Sequence, residues 1–95
     1  MPEPRPLTRR RLVVKGLVQG VGFRWFAREQ AESLGLSGWV RNREDGAVEA
    51  EAEGPAGALD EFVRRLRAEN SSARVDEIVA VPAAPRGGTG FEIRR

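Results

Sequence analysis

Three glycines within seven residues are followed, after one phenylalanine, by an arginine in the segment GLVQGVGFRWF, residues 16–26. Gly16, Gly20 and Gly22 permit backbone conformations that other residues avoid, so successive N–H groups can point into one concavity without side chains in the way. The segment lies between a predicted strand and a predicted helix, and the helix N-terminus adds unpaired N–H groups and a positive partial charge. This pattern predicts a turn that binds an anion the size of phosphate.

Arg24 falls in the first turn of the predicted helix. A cation there is disfavoured by about 0.3–1 kcal/mol unless something negative offsets it, and a bound phosphate would do so. The guanidinium is a fixed fork of donors that can hold two phosphate oxygens together. The residues alone fit equally well a tight connection followed by a solvated arginine, because glycine-rich turns are common and this one matches neither a Walker loop nor a GxGxxG fingerprint.

Asn42 is the second candidate for chemistry, three residues before a predicted turn at Asp45-Gly46. Asparagine is depleted in strands, so a functional role is one explanation of its position. Hydrogen bonding to the backbone at a strand end is the other, and the residues alone favour it. Arg41 and Arg43 flank Asn42 and alternate to the other face, where we expect them to be solvated or to steer an anionic substrate weakly.

Composition limits the chemistry that these residues can support. The 95 residues include no cysteine and no histidine, which excludes disulfides, thiolate nucleophiles, most zinc sites and the usual proton shuttle at neutral pH. The net charge is only +2, so a nucleic-acid surface is permitted but not indicated. No apolar run approaches the ~20 residues that span a bilayer, and no segment resembles a signal peptide. We therefore expect a cytoplasmic protein.

The elements that must position the candidates begin after a proline-rich segment, residues 1–8, which predicts a flexible tail before a single domain, residues 9–95. RRRLVVKGLV is typical of a first strand. Apolar residues at helical spacing from Phe23 to Leu34 predict the first helix, and Gly35 stands at its C-cap position.

A hairpin is predicted next, in SGWVRNREDGAVEAEAEG, with Asp45 and Gly46 at the φ>0 positions of a tight turn. Its second arm alternates between apolar residues and glutamates: Val48, Ala50 and Ala52 against Glu49, Glu51 and Glu53. Such alternation predicts a sheet that is covered on one face and exposed to water on the other.

The remaining segments complete the order of elements. A second helix is predicted from four apolar residues at helical spacing: Leu59, Phe62, Val63 and Leu66. ARVDEIVAVPA predicts a fourth strand and FEIRR a short terminal strand. The order βαββαβ plus a strand predicts an α+β fold, a ferredoxin-like sandwich with both helices on one face of an antiparallel sheet. Trp25 and Trp39 are most simply explained as packing in the core or at the rim, with contact to a substrate as the alternative.

The segments GLVQGVGFR and GWVRNREDGAVE closely resemble the two signature segments of the acylphosphatase family, and the similarity continues through EGP to the closing FEIRR. The resemblance implies a small hydrolase without cofactor or metal that cleaves the carboxyl-phosphate bond of acyl phosphates. It also implies that Arg24 clamps the phosphate and that Asn42 orients the attacking water. The phosphate-binding amides implied by the family are those of Gln19, Gly20, Val21, Gly22, Phe23 and Arg24. Leu17 departs from the family pattern, where a basic residue is frequent.

The implied chemistry suits the composition. An acyl phosphate expels a carboxylate whose conjugate acid has a pKa near 4, so no general acid is needed and the missing histidine is no obstacle. Phosphoryl transfer demands positioning and charge stabilisation, which N–H groups and one arginine can supply. We expect a monomer that acts on a small acyl phosphate, without nucleic acid or membrane.

Two other classes of protein remain alternatives. Ferredoxin-like folds also bind RNA or regulatory small molecules without catalysis, and fold does not decide function. RNA binding needs exposed aromatic residues, and glutamates exposed on the third strand would repel phosphates. The domain could also be one part of a larger maturation or transferase machine, although we expect a free enzyme.

Overall fold

The computed structural model describes residues 7–68 and 73–95. The elements follow in the order β1 (Thr8–Leu17), α1 (Phe23–Ser33), β2 (Ser37–Asn42), β3 (Val48–Gly54), α2 (Ala56–Ala68), β4 (Arg74–Ala83) and β5 (Phe91–Arg94). The predicted order of elements is confirmed. Residues 1–6 of the predicted tail lie outside the described residues, and β1 begins at Thr8, one residue earlier than predicted.

The five strands form one sheet in the order β4-β1-β3-β2-β5. The pairs β1–β3, β1–β4 and β2–β3 are antiparallel, as predicted for a ferredoxin-like sheet. β5 pairs with β2 in parallel, so the sheet is mixed rather than wholly antiparallel. Its order places the ends of β1, β2 and β5 near one another, and the loop into α1 lies at that end of the sheet.

Both helices cover one face of the sheet. α1 buries Phe23, Ala27 and Ala31, one helical turn apart, and α2 buries Leu59, Phe62 and Leu66. These side chains join one hydrophobic core with residues that alternate along the strands: Leu12, Val14, Val40, Val48, Ala50 and Ala52. The apolar half of the predicted β3 alternation therefore faces the helices, and burial of this stripe fixes the register of each strand. Neither helix in the described residues is long and apolar enough to cross a membrane.

The helix-free face of the sheet is not exposed to water along β3, and that prediction is wrong. Glu49 and Glu53 are only 1% and 3% exposed. Arginines from neighbouring strands lie over these carboxylates: Arg9 donates to Glu53 at 3.3 Å, and Arg41 donates to Glu49 at 2.8 Å. The cause is the length of the arginine side chain, which reaches across to the neighbouring strand and covers the carboxylate; the Arg9 side chain is itself buried there.

The turn between β2 and β3 also differs from the prediction. Gly46 has a φ of 92°, but Asp45 has no positive φ, so the prediction that both residues take φ>0 is wrong. The strands are joined by the longer connection 43–47, closed by the Arg43 N–H donating to the Ala47 carbonyl at 2.8 Å. The Asp45 carboxylate accepts from the Ala47 N–H at 3.0 Å. This longer loop needs one glycine in the left-handed region rather than two.

Candidate active site

The connection between β1 and α1 contains two glycines in the left-handed region. Gly20 has a φ of 76° and Gly22 a φ of 77°. A Cβ atom added at either position would meet nothing within 4 Å. Glycine is therefore suited to these two positions by backbone conformation and not by lack of space.

Gly16 has a different structural role from the one that the sequence suggested. It lies in β1, at an irregularity in the pairing with β4 between Lys15 and Gly16. A Cβ there would lie 2.0 Å from the Arg74 carbonyl oxygen. The close approach of β4 thus explains this glycine, and the turn that precedes α1 depends on Gly20 and Gly22 alone.

The N-terminus of α1 has no internal partner for its first N–H groups. Gly22 is the N-cap and makes no side-chain capping bond, and the first turn contains no acidic residue. The first hydrogen bond of the helix runs from the Phe26 N–H to the Gly22 carbonyl at 3.1 Å. Within residues 7–68 and 73–95, the N–H groups of 20–25 donate no hydrogen bond. They are free to meet an anion at the positive end of the helix.

Arg24 lies in this first turn, partly buried. One of its guanidinium nitrogens, Nη1, donates to the Arg94 carbonyl at the end of β5, at 3.2 Å. The guanidinium is therefore anchored on one side by the edge of the sheet. Its other donors remain available at the end of the helix where the free N–H groups lie.

Asn42 is the last residue of β2 and pairs with Val48 across the hairpin. Its Oδ1 atom is buried and accepts no hydrogen bond from any described residue. The sequence also allowed the Asn42 side chain to hydrogen-bond the backbone at the strand end. Its Oδ1 atom makes no such bond within the described residues. A buried polar atom without a partner costs free energy, so such an atom calls for a missing partner such as water or a ligand.

One pocket of about 270 Å³ brings the predicted residues together. Its lining consists of Val18, Gly20, Gly22, Phe23, Arg24, Trp25 and Asn42. The glycine turn, the arginine and the asparagine come from three different elements or connections, yet they share this single cleft. Within the described parts of the chain, no three His, Cys, Asp or Glu residues lie close enough to hold a metal ion.

Two of the predicted residues do not line the pocket. Gln19 directs its side chain to the hairpin, where Nε2 donates to the Arg43 carbonyl at 2.7 Å and to the Ala47 carbonyl at 2.9 Å. The Val21 side chain is exposed at the turn. The Phe23 side chain belongs to the core, so only its N–H group is suited to a ligand. Sequence reasoning missed the side-chain contacts of Gln19 because they span 24 and 28 residues and leave no local pattern.

The two tryptophans have different surroundings. Trp39 is 8% exposed and lies beneath the guanidinium groups of Arg41 and Arg94, so its predicted packing role is confirmed. Trp25 is 63% exposed and lines the pocket, so it is not a core residue, and contact with the substrate stays a prediction. Arg28, one turn further along α1, lies over the Trp25 ring at 5.0 Å.

Charge on the helix-free face is arranged differently from the expectation. Burial raises the pKa of Glu49, but hydrogen bonds from Arg41 and Arg11 outweigh burial and hold that pKa below its ordinary value. Arg41 is thus paired with Glu49 and not simply solvated.

Exposed glutamates therefore cannot be the reason against RNA binding on the helix-free face of the sheet. The reason that remains is the burial of Trp39, which leaves its ring inaccessible for base stacking.

Comparisons with known proteins agree with this fold. The sequence model of the acylphosphatase family matches residues 10–93. An acylphosphatase of Moorella thermoacetica is 49% identical over 88 residues, covering 93% of this chain and 95% of the relative. The crystal structure of an acylphosphatase from Bacillus subtilis superposes with a TM-score of 0.89 at 40% identity, covering 95% of this chain and all of that one.

A much longer protein contains the same fold. Full-length HypF, solved in a phosphate- and nucleotide-bound form, matches 99% of this chain with a TM-score of 0.85 at 28% identity. The match covers 12% of the HypF chain. The fold therefore occurs both as a small protein and as a minor part of a larger one.

The order of the elements and the sheet define a ferredoxin-like protein with a cleft at one end of its sheet. The chain belongs to the acylphosphatase family. Since relatives of that name are similar over nearly the whole chain, it is an enzyme of the acyl phosphate hydrolase class.

Proposed function

We propose that the cleft holds the phosphoryl end of an acyl phosphate and that this chain's own groups carry out its hydrolysis. The backbone N–H groups of residues 19–24 surround the phosphoryl oxygens. Arg24 clamps two of these oxygens with the donors that its bond to Arg94 leaves free. The positive end of α1 adds to the same field, so the charge of the transferring group is stabilised without a metal.

The water nucleophile is held by Asn42 in this proposal. The Oδ1 atom accepts a hydrogen bond from the water and so directs the water's lone pair at phosphorus. A carboxamide is not a strong base, so its contribution is orientation, which can lower a barrier substantially by fixing a near-attack geometry. The proton can pass finally to the substrate's own phosphate oxygens. The bond between phosphorus and the acyl oxygen breaks, and the products are a carboxylate and inorganic phosphate.

The leaving group explains why the site needs no acid. A carboxylate leaves readily near neutral pH because its conjugate acid has a pKa near 4. Positioning and electrostatic stabilisation are the main demands of a loose phosphoryl-transfer transition state. The groups at the cleft, which are N–H donors, one guanidinium and one carboxamide, match those demands.

One observation carries the proposal: the unpartnered, buried Oδ1 of Asn42 belongs to a residue that lines the same cleft as Arg24 and the free N–H groups. Water bound to that oxygen and phosphate bound to those donors would satisfy both sets of atoms together. The location in the cytoplasm and the monomeric state stay predictions.

The test is release of phosphate from benzoyl phosphate without added metal. We expect Arg24→Ala and Asn42→Ala each to lower kcat/KM by about 10²- to 10³-fold, the range found when one oxyanion donor is removed. Arg24→Ala should also weaken competitive inhibition by inorganic phosphate, because it removes the clamp from ground state and transition state alike. Arg74→Ala removes an exposed arginine of β4 that pairs with Asp76, and it should keep wild-type turnover.

Two outcomes would contradict the proposal in different ways. Full turnover in Asn42→Ala would show that the carboxamide does not orient the water, although the class of enzyme would stand. A strict requirement for magnesium would show that a metal and not the protein's donors stabilises the charge.

A further inference from the structure

The side chain of Gln19 joins the two halves of the cleft. Its amide nitrogen Nε2 donates to the Arg43 carbonyl at 2.7 Å and to the Ala47 carbonyl at 2.9 Å, and the contacts are partly buried. Both acceptors are carbonyl oxygens, so the NH₂ end of the amide must face them and its orientation is determined. Both hydrogens of this NH₂ group are thereby used inside the protein and are not available to a substrate.

The two carbonyls belong to the residue pair next to Asn42, on the turn side of the hairpin. Arg43 follows Asn42 directly in the chain, and Ala47 precedes Val48, the residue that pairs with Asn42 across the hairpin. The same two residues close the turn, since the Arg43 N–H donates to the Ala47 carbonyl at 2.8 Å. Gln19 therefore contacts the hairpin directly beside Asn42, so a small shift of the hairpin backbone at this contact would also move the Asn42 side chain.

The opposite end of Gln19 belongs to the turn that begins the phosphate site. Gln19 immediately precedes Gly20, and the N–H groups of residues 20–25 make no hydrogen bond within the described chain. The side chain of Gln19 is thus a direct polar link between this turn and the β2–β3 connection.

We propose that Gln19 is a positioning residue that fixes the distance between the phosphate-binding turn and Asn42. The inference rests on the proposed function, because it assigns the phosphoryl group to the turn and the water to Asn42. Gln19 acts through Asn42, and its side chain does not touch the substrate. It sets where the water stands relative to phosphorus, while Arg24 and the N–H groups on the other side of the link keep their affinity for phosphate.

Gln19→Met tests the link, because methionine has a similar length and no donor. We expect kcat to fall by about 10- to 100-fold, since misplacement of a reacting group by about 1 Å can cost that much. The inhibition constant for inorganic phosphate should change less than threefold. If Gln19 had a merely structural role, its substitution would lower the unfolding midpoint and would change kcat and the phosphate inhibition constant to a similar extent.

Gln30→Met is the matched control. Gln30 lies on α1, and its side chain accepts a hydrogen bond from Arg65 of α2 at 3.1 Å, away from the cleft. The same chemical change there should lower stability slightly and leave kcat and phosphate inhibition at wild-type values.

Gln19→Glu gives a pH signature. The introduced carboxylate would face two carbonyl oxygens and repel them, whereas its protonated form would supply one donor. Activity relative to wild type should therefore rise as the pH falls from 7 to 5, and Gln19→Met should show no such rise. A relative activity that does not depend on pH in Gln19→Glu would contradict the role of a donor at this position.

A double-mutant comparison decides whether Gln19 acts through Asn42. Adding Gln19→Met to Asn42→Ala should cost little further activity, because the water-orienting group is already absent. If Asn42→Ala is impaired as expected, either a full additional loss in the double mutant or wild-type kcat in Gln19→Met would overturn the inference. Full activity in Asn42→Ala would contradict the proposed role of Asn42 and therefore also the inference about Gln19. The activity of this single variant thus distinguishes failure of the proposed function from failure of the inference alone.

Discussion

Arg24 lacks an anion and Asn42 lacks a hydrogen-bond donor, and bound phosphate and water would together supply both. Arg24 is a cation placed at the positive end of α1, and the first turn contains no acidic residue to offset it. Asn42 has an acceptor atom without a donor. Each arrangement costs free energy in the empty protein, and phosphate together with water would remove both costs.

The importance of the left-handed conformation at Gly22 can be tested by a substitution that creates no steric clash. Alanine there has room but must adopt a φ near 77°, which costs roughly 1–2 kcal/mol for an L-residue. We expect Gly22→Ala to lower the free energy of unfolding by about that amount, measured by urea denaturation. Phosphate inhibition should weaken as well, because relief of the strain would turn the N–H groups away from the cleft.

Gly57→Ala provides the comparison for that measurement. Gly57 lies in α2, and a Cβ there would also meet nothing within 4 Å. Alanine should stabilise this helix by about 0.5–1 kcal/mol. Equal effects of the two substitutions would contradict the importance of the left-handed conformation at Gly22.

At the scale of elements, the sequence predicted well what depends on local periodicity. The helical spacing from Phe23 and the alternation of β3 gave the correct elements and the correct apolar faces. What lay on the other face of β3 could not be predicted from β3 alone. It depends on Arg9 and Arg11 of β1, a strand distant in sequence, and on Arg41 of the adjacent hairpin arm, all of which the sheet places beside the glutamates.

The candidate site shows the same division. Gly20, Gly22 and Arg24 are contiguous in the sequence, so their proximity was predictable. The distant Asn42 was singled out by resemblance to a family and not by spacing. The side-chain bonds of Gln19 depend on the final placement of the hairpin, and neither periodicity nor turn chemistry indicates them.

Glu53 joins distant parts of the whole molecule, whereas Glu61 forms ion pairs within α2. Glu53 accepts from the backbone N–H of Arg86 at 2.6 Å and of Gly87 at 2.8 Å, which anchors the loop before β5 to the sheet. The Arg86 N–H lowers the pKa of Glu53 most strongly; burial opposes it, and Gly87 and Arg9 add to the lowering. Hydrogen bonds from Arg64 and Arg65 lower the pKa of Glu61 to about 2.

These shifts predict how stability depends on pH. The pKa values of Glu49, Glu53 and Glu61 are lowered in the folded state from an ordinary value of 4.5, so below that pH the unfolded chain binds more protons. The stability that these groups contribute is present above pH 4.5 and is lost as the pH falls toward 2. Urea midpoints at pH 6, 4 and 3 should decrease in that order. The decrease should be smaller in Glu53→Gln, and identical decreases in the two proteins would contradict this assignment.

We propose, above all, that the N–H groups of residues 19–24 and Arg24 bind the phosphoryl group. Titration of the ¹⁵N-labelled protein with inorganic phosphate, followed by backbone amide shifts, tests it most directly. We predict that the largest shifts occur at the amides of residues 20–24, and that Arg24→Ala weakens the binding that they report. Saturable shifts concentrated elsewhere, such as around Arg86 and Arg94, with the amides of residues 20–24 unmoved, would contradict the account.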